Sequence, residues 1–255
     1  MIKIQYISDL HLERKLNSIY FSQYPIEKKG NILILAGDIT KYSRLYYSNP
    51  FFDDISKKFD QVFMIPGNHE YYDIQNIQLI NKSFINEKIR NNVTLLNNQT
   101  IVYKDIYFIF STLWSYISPD KEFAIRNSVA DYKHIKNGKY FITPNELNKI
   151  HKESYKFIKK SLLENTLDKI FIVTHHAPTK LVVSDFHKHS SINDSFVVEL
   201  YSMIFDNNID YWLYGHTHQN IDSEINGTKI ISNQFGYVFS DNFDNIDFNQ
   251  KIVEL

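Results

Sequence analysis

The chain has 255 residues, 43% of them hydrophobic, with 28 basic against 29 acidic side chains, a formal net charge of -1 and no cysteine. That length and apolar content suit one sizeable α/β domain with a real core and exclude a disordered chain. The near-neutral charge gives no field for steering onto nucleic acid, and the missing cysteines exclude disulfides and thiolate metal sites.

Residues 2–7 read as a buried strand that ends at Ser8-Asp9-Leu10-His11. These first residues reach polar groups too soon for a signal peptide. No later apolar run approaches the roughly 20 residues that span a bilayer, so a cytoplasmic location is expected. Segment 12–30 reads as loop with one helical turn. Residues 31–36 are a continuous apolar run, the mark of a strand covered on both faces, and they stop at Gly37-Asp38. Residues 51–59 have helical spacing. Val62-Phe63-Met64-Ile65 is a third buried strand running into Pro66-Gly67-Asn68-His69-Glu70. Residues 74–89 place Ile74, Ile77, Ile80, Phe84 and Ile89 near one helical face and predict a helix. Short strands follow at 93–96, 100–103 and 106–110, with Lys104-Asp105 as a two-residue hairpin turn.

Segment 111–142 is the least regular part and reads as an insertion that walls a binding site. Thr143-Pro144-Asn145-Glu146 opens a helix reaching Glu164, with Thr as N-cap, Pro at the first position and Glu three residues after the cap. Residues 169–174 are a buried strand ending at His175-His176. A helix is predicted over 195–206, a strand over 210–214 ending at Gly215-His216-Thr217-His218, a hairpin over 221–232 turning on Asn226-Gly227, and a last strand near 251–254. No linker divides the chain, so 1–255 reads as a single domain.

Five strands therefore end in metal-ligand residue types, and six of the ten histidines lie at these ends. Parallel strands share one C-terminal edge, so pattern alone brings Asp9, His11, Asp38, Asn68, His69, His175, His176, His216 and His218 together. Asp9/His11 and His216/His218 are i, i+2 pairs, whose side chains project the same way from extended backbone. Gly37, Gly67 and Gly215 precede ligand types, where backbone turns sharply or approaches closely. Nitrogen and oxygen donors without sulfur suit Mn, Fe, Zn, Co or Ni. Seven or eight donors are too many for one ion and suit two divalent metal ions.

Asp9-Leu10-His11, Gly37-Asp38, Gly67-Asn68-His69-Glu70, Thr174-His175-His176 and Gly215-His216-Thr217-His218 resemble, in order, the five motifs of the calcineurin-like metallophosphoesterases. Gly227-Thr228, Asn233 and Gly236-Tyr237 further resemble a bacterial-type branch that reads Asn-Pro before the Gly-Tyr pair; Gln234 stands at the Pro position here. The resemblance implies a four-layer α/β/β/α sandwich with two mixed β-sheets and the metal site at the strand C-terminal edge. It implies that Asp9, His11, Asp38 and His218 bind the first metal and Asp38, Asn68, His175 and His216 the second, with Asp38 bridging and manganese placed first among the candidates. Two such ions lower the pKa of a bridging water, and the resulting hydroxide attacks a phosphomonoester or phosphodiester in line. His69 is implied as general acid toward the leaving alkoxide, with an acidic neighbour to hold it. Asn68, His69 and His176 would touch substrate phosphate.

Other readings stay open at this point. His176 is the alternative to His175 as ligand. Glu70 reads as a hydrogen-bond partner and Tyr71 and Tyr72 as packing. Trp114 reads as a buried anchor, with substrate stacking as the alternative. His187 and His189 read as solvated loop or pocket wall, and His134 and His151 as structural or exposed. The expected partner is a small phosphorylated substrate, with no membrane and with nucleic acid disfavoured. A nuclease and a non-catalytic metal-binding scaffold are the competing functions. The first needs a basic groove beside the metals, and the second would show degenerate ligands, of which the sequence has none.

Overall fold

A computed structural model describes residues 2–42, 47–73, 84–238 and 248–255. Its first sheet runs from β1 (Lys3–Ile7) through β2 (Ile32–Leu35), β3 (Gln61–Met64), β4 (Ile85–Arg90) and β5 (Val93–Asn97) to a distant last strand. Its second sheet uses β6 (Gln99–Tyr103), β7 (Ile106–Ser111), β10 (Lys169–Thr174), β11 (Tyr211–Tyr214), β12 (Ser223–Ile225) and β13 (Thr228–Ser232); a small separate ribbon is β8 (Lys136–Asn137) with β9 (Tyr140–Phe141). With β14 (Ile252–Glu254) the first sheet has the order β14-β1-β2-β3-β5-β4, and the second the order β12-β13-β11-β10-β7-β6. In each, four central strands are parallel and the two edge strands antiparallel.

Strand alternation decides which layer each side chain joins. Ile32 and Ile34 of β2 face the core between the sheets, with Phe63, Phe108, Phe171 and Leu213. Leu33 and Leu35 face the other way, onto Phe21 of helix α1 (Lys15–Gln23) and Phe52 and Ile55 of α2 (Pro50–Lys58). The second sheet buries its outer face, Ile172 and Trp212 included, against Ile158 of α5 (Pro144–Glu164) and Ile204 of α6 (Tyr201–Phe205). Each such fully buried branched or aromatic side chain contributes about 1.5–3 kcal/mol. The result is the four-layer α/β/β/α sandwich. A fourth cluster joins Tyr71 and Tyr72 to Trp114, Ile125, Tyr132 and Leu147, so the segment after β7 has its own packed core. That segment carries α3 (Glu122–Ser128) and α4 (Asp131–His134).

The capping box at Thr143/Glu146 is present in full. Both predicted hairpin turns form, with Lys104, Asp105, Asn226 and Gly227 all at positive φ. Three expectations are corrected. Residues 85–89 of the predicted 74–89 helix lie in edge strand β4, where Ile85, Glu87 and Ile89 alternate with period two against β5; residues 74–83 lie outside the described residues. The predicted 195–206 helix is a 3-10 turn at Asn193–Ser195 and then α6, because Ala177 pairs with Val197 and draws the backbone between them out. Finally, segment 12–30 carries the nine-residue helix α1, more than the one helical turn expected, because Phe21 packs onto the outer face of the first sheet.

Candidate metal and phosphoester site

The registers align the strand ends. Ile7 pairs with Leu35 and Leu35 with Met64, while Val173 pairs with Leu213. The loops that follow leave from one edge, where the two sheets are stitched together. Asp9 N–H donates to the Gly37 carbonyl at 3.0 Å, Gly215 N–H to that of His175 at 2.9 Å and Gly236 N–H to that of Asp9 at 2.9 Å.

The donor atoms converge in three overlapping groups: Asp9, His11 and His218; His11, Asp38 and His69; and Asp38, His175 and His216. Within each, the donor atoms lie within 4.8 Å of one another. Asn68 joins the third group, its Oδ1 lying 3.1 Å from His175 Nε2. All seven ligands expected from sequence are thus brought together. His176 is not: its Nδ1 lies 3.3 Å from the Thr112 carbonyl, its ring packs against Trp114 and His216, and it does not line the cleft above the cluster. The local geometry departs from the extended backbone assumed for the i, i+2 pairs. Asp9, His11, Asp38, His216 and His218 all have φ between 47° and 73°. Non-glycine residues held there cost of order 1 kcal/mol or more each, and such strain clusters at functional sites.

Neighbouring groups hold this strained edge. Buried Glu70 accepts from the backbone N–H of Asp38 at 3.0 Å, Ile39 at 2.8 Å and Gly67 at 2.7 Å, locking the loops after β2 and β3 together. Burial and then Asp38 raise its carboxyl to about 8, while these N–H groups favour the ionised form. Gly67 is required by space: a Cβ there would meet Asp38 Oδ1 at 2.2 Å. Asp9 accepts from His216 N–H at 3.1 Å. Gln234, at the position where the resembled branch has proline, accepts from His218 N–H through Oε1 at 2.7 Å and donates through Nε2 to Thr217 Oγ1 at 2.9 Å and to the Gln219 carbonyl at 2.8 Å. Gln234→Ala should therefore weaken metal binding about 10–100-fold, the usual cost of losing an outer partner of a ligand, with an unchanged circular dichroism spectrum. Metal titration by calorimetry measures it.

The donor set fits cations. Nδ1–H of His175 donates to the Ala36 carbonyl at 2.8 Å, so its Nε2 faces Asn68 Oδ1 at 3.1 Å and Asp38 Oδ1 at 3.4 Å; burial would lower this imidazole, but Asp38 overrides it and raises it to about 9, so a cation bound there would displace the Nε2 proton. His11 Nδ1 lies 3.2 Å from Glu13 Oε1, which leaves its Nε2 3.0 Å from His218 Nε2. Carboxylates, an amide oxygen and imidazoles gathered in one buried site call for a positive charge among them. Burial, then His175, lowers His216 to about 3; burial raises the carboxyl of Asp9, but His218 and His175 together outweigh it and bring it to about 2. Neutral imidazole and ionised carboxylate are the ligating forms.

Two partners were missed in the sequence. Glu13 is the acidic neighbour of His69: its Oε1 lies 2.9 Å from His69 Nδ1 and is shared with His11. Its signal was legible, since Asp9, His11 and Glu13 fall at every second position. Burial raises the Glu13 carboxyl, but hydrogen bonds to the two imidazoles outweigh it and bring it to about 2. Burial would lower His69, but Asp38 and then Glu13 override it and raise it to about 9. Asp131, from the insertion, accepts from Asn68 Nδ2 at 2.8 Å and from the Tyr72 hydroxyl at 2.7 Å, which turns the Asn68 carbonyl oxygen toward His175. Tyr72 also stacks on His69 at 4.2 Å between centroids, so it orients two site residues rather than only packing. Trp114 is a buried anchor, and His151 is buried with Nδ1 3.2 Å from the carbonyls of Leu113 and Trp114. His134 stacks on Tyr72, and His187 lines a small pocket beside the cleft.

The sequence profile of calcineurin-like phosphoesterases matches residues 2–220. The chain belongs to the calcineurin-like phosphoesterase family. As a family member it shares 35% identity with an uncharacterized protein of Acanthamoeba polyphaga mimivirus, over 98% of each chain. Among solved structures, the phosphopantetheinyl hydrolase of Mycobacterium tuberculosis has the same fold, with a TM-score of 0.68 at 14% identity over 92% of this phosphoesterase and 89% of that chain. Among the described residues, no helix is long and apolar enough to cross a membrane.

Proposed function

We propose that the chain hydrolyses phosphomonoesters or phosphodiesters with two divalent cations, manganese first among them. Asp9, His11, Asp38 and His218 would hold one, and Asp38, Asn68, His175 and His216 the other. The observation that carries this is the convergence of the donor atoms of Asp9, His11 and His218, and of Asp38, His175 and His216, each group within 4.8 Å, with Asn68 Oδ1 3.1 Å from His175 Nε2. When bound, the cations would supply an activated water and offset charge on the phosphoryl oxygens. The remaining steps belong to side chains. His69 pairs with Glu13 and stacks on Tyr72 at the cleft wall, which supports a role as the protonated imidazole that delivers its proton to the leaving oxygen. Glu13 fixes the tautomer by holding Nδ1, so that Nε2 is the atom presented. Asn68 is kept in its amide orientation by Asp131.

The test is hydrolysis of nitrophenyl phosphate and of bis(nitrophenyl) phosphate by chelator-treated protein before and after Mn²⁺ addition. Turnover that appears only with metal is expected, and the ratio of the two rates assigns monoester or diester preference. Absence of metal-dependent turnover of either ester contradicts the proposal. A nuclease reading has less support, since neither Lys nor Arg is among the described residues lining the cleft.

A further inference from the structure

The cleft above the ligand cluster, about 290 Å³, and a second pocket of about 110 Å³ share Ile192, Phe196 and Thr217 as walls. The second pocket is completed on its apolar side by Val182 and Val183. A dry apolar cavity of about 150 Å³ accommodates benzene, so this space suits a short alkyl chain or the edge of a small ring. Neither Lys nor Arg is among the described residues lining either space. The nearby Lys121 is paired with Asp194 at 2.7 Å. Asp131 adds a carboxylate to the cleft wall. His69 and Arg14, the latter 4.0 Å over the Tyr237 ring, stand on the cleft side; in the second pocket, a second phosphate or a carboxylate on the substrate would find neither Lys nor Arg among the described lining residues.

The pocket is held in fixed relation to the ligands. Phe196 stacks on His216 with centroids 4.9 Å apart. Asp194 accepts from Ser118 N–H at 3.2 Å, tying this loop to the insertion that forms the opposite wall. The pairing of Ala177 with Val197 anchors the loop's far end to the end of β10. Gln234 pins Thr217 and Gln219, and His187, Ser190 and Asn193 complete the wall. Such a preformed apolar space beside a polar reaction centre selects substrates by the group it encloses.

We infer that this pocket receives the organic group of the substrate, and that the substrate class is a phosphoester with a single phosphoryl group and a short, uncharged, apolar substituent. This rests on the phosphoester reading above. The test uses the manganese-loaded full chain and competitive inhibition of nitrophenyl phosphate hydrolysis by methyl-, butyl- and phenylphosphonate and by 4-phosphonobutyrate. Phosphonates are not cleaved, so affinity is read free of leaving-group reactivity. The inhibition constant should fall on the order of tenfold from methyl- to butyl- or phenylphosphonate as carbon is buried, and 4-phosphonobutyrate should lose that gain. Val183→Trp, which fills the pocket, should erase the difference between methyl and butyl. Val183→Ala, which enlarges it, should move the tightest binding to a longer chain. Turnover with a flat inhibition series, or tightest binding of 4-phosphonobutyrate, overturns the pocket assignment alone. No turnover of any phosphoester overturns the phosphoester reading and the assignment with it.

Discussion

Asp38→Asn should release bound metal and lower turnover on the order of 10³-fold, while the fold persists. Asp38 belongs to two of the three donor groups, and its oxygens face in different directions. Oδ1 lies 3.4 Å from His175 Nε2, and Oδ2 lies 3.8 Å from Nε2 of both His11 and His69. No other carboxylate among the described residues has that position between the two expected ion sites. The substitution keeps the shape and removes the charge, so it removes what offsets two dications. Metal charge on a phosphoryl group is worth several kcal/mol, and about 1.4 kcal/mol is a factor of ten in rate. Asp38 Oδ1 also accepts His69 N–H at 2.8 Å, and an asparagine placed with its Oδ1 there keeps that bond. Metal content by plasma mass spectrometry and turnover of nitrophenyl phosphate measure both effects. Retention of two equivalents of metal would remove Asp38 from the shared position.

His69→Ala should do the opposite to metal and the same to rate: both ions stay, and turnover falls about 10²–10⁴-fold, the usual worth of a positioned acid. The loss should depend on the leaving group. An alkyl phosphate, whose alkoxide needs a proton, should lose the most, and nitrophenyl phosphate the least. Glu13→Gln should follow the same leaving-group trend with a smaller loss, because a neutral amide still reaches Nδ1 but no longer stabilises the charged ring. Loss of metal on His69→Ala would instead place this imidazole among the ligands, which its membership of the group with His11 and Asp38 makes a real alternative. A uniform loss across leaving groups would contradict proton donation.

The strand ends were legible because buried parallel strands leave a plain signal, an apolar run that stops at polar residues, with Gly or Pro-Gly between them at Gly37, Pro66-Gly67 and Gly215. That signal puts Asp9, Asp38, Asn68, His175 and His216 on one edge from the sequence alone. The Thr143 cap and the two Asn-Gly- or Lys-Asp-type turns were legible for the same reason: their chemistry is local. What did not show was long-range. Asp131 reaches Asn68 across 63 positions, and Gln234 holds His218 across 16, through contacts that no local pattern encodes. The backbone at the ligands was also invisible, since Asp and His tolerate positive φ without announcing it. Residues 85–89 misled because Ile89 extends the helical spacing of Ile74, Ile77, Ile80 and Phe84, while Ile85, Glu87 and Ile89 also fit period 2, and pairing with β5 decided between them.

The central claim is that one strand edge holds two cations with His69 outside their shells. Anomalous diffraction from a manganese-loaded crystal grown with inorganic phosphate tests it most directly. Two anomalous peaks are predicted, one ringed by Asp9, His11 and His218 and the other by Asn68, His175 and His216, with Asp38 between them and His69 facing a phosphate oxygen. A single peak, or a peak ligated by His69, would contradict the account.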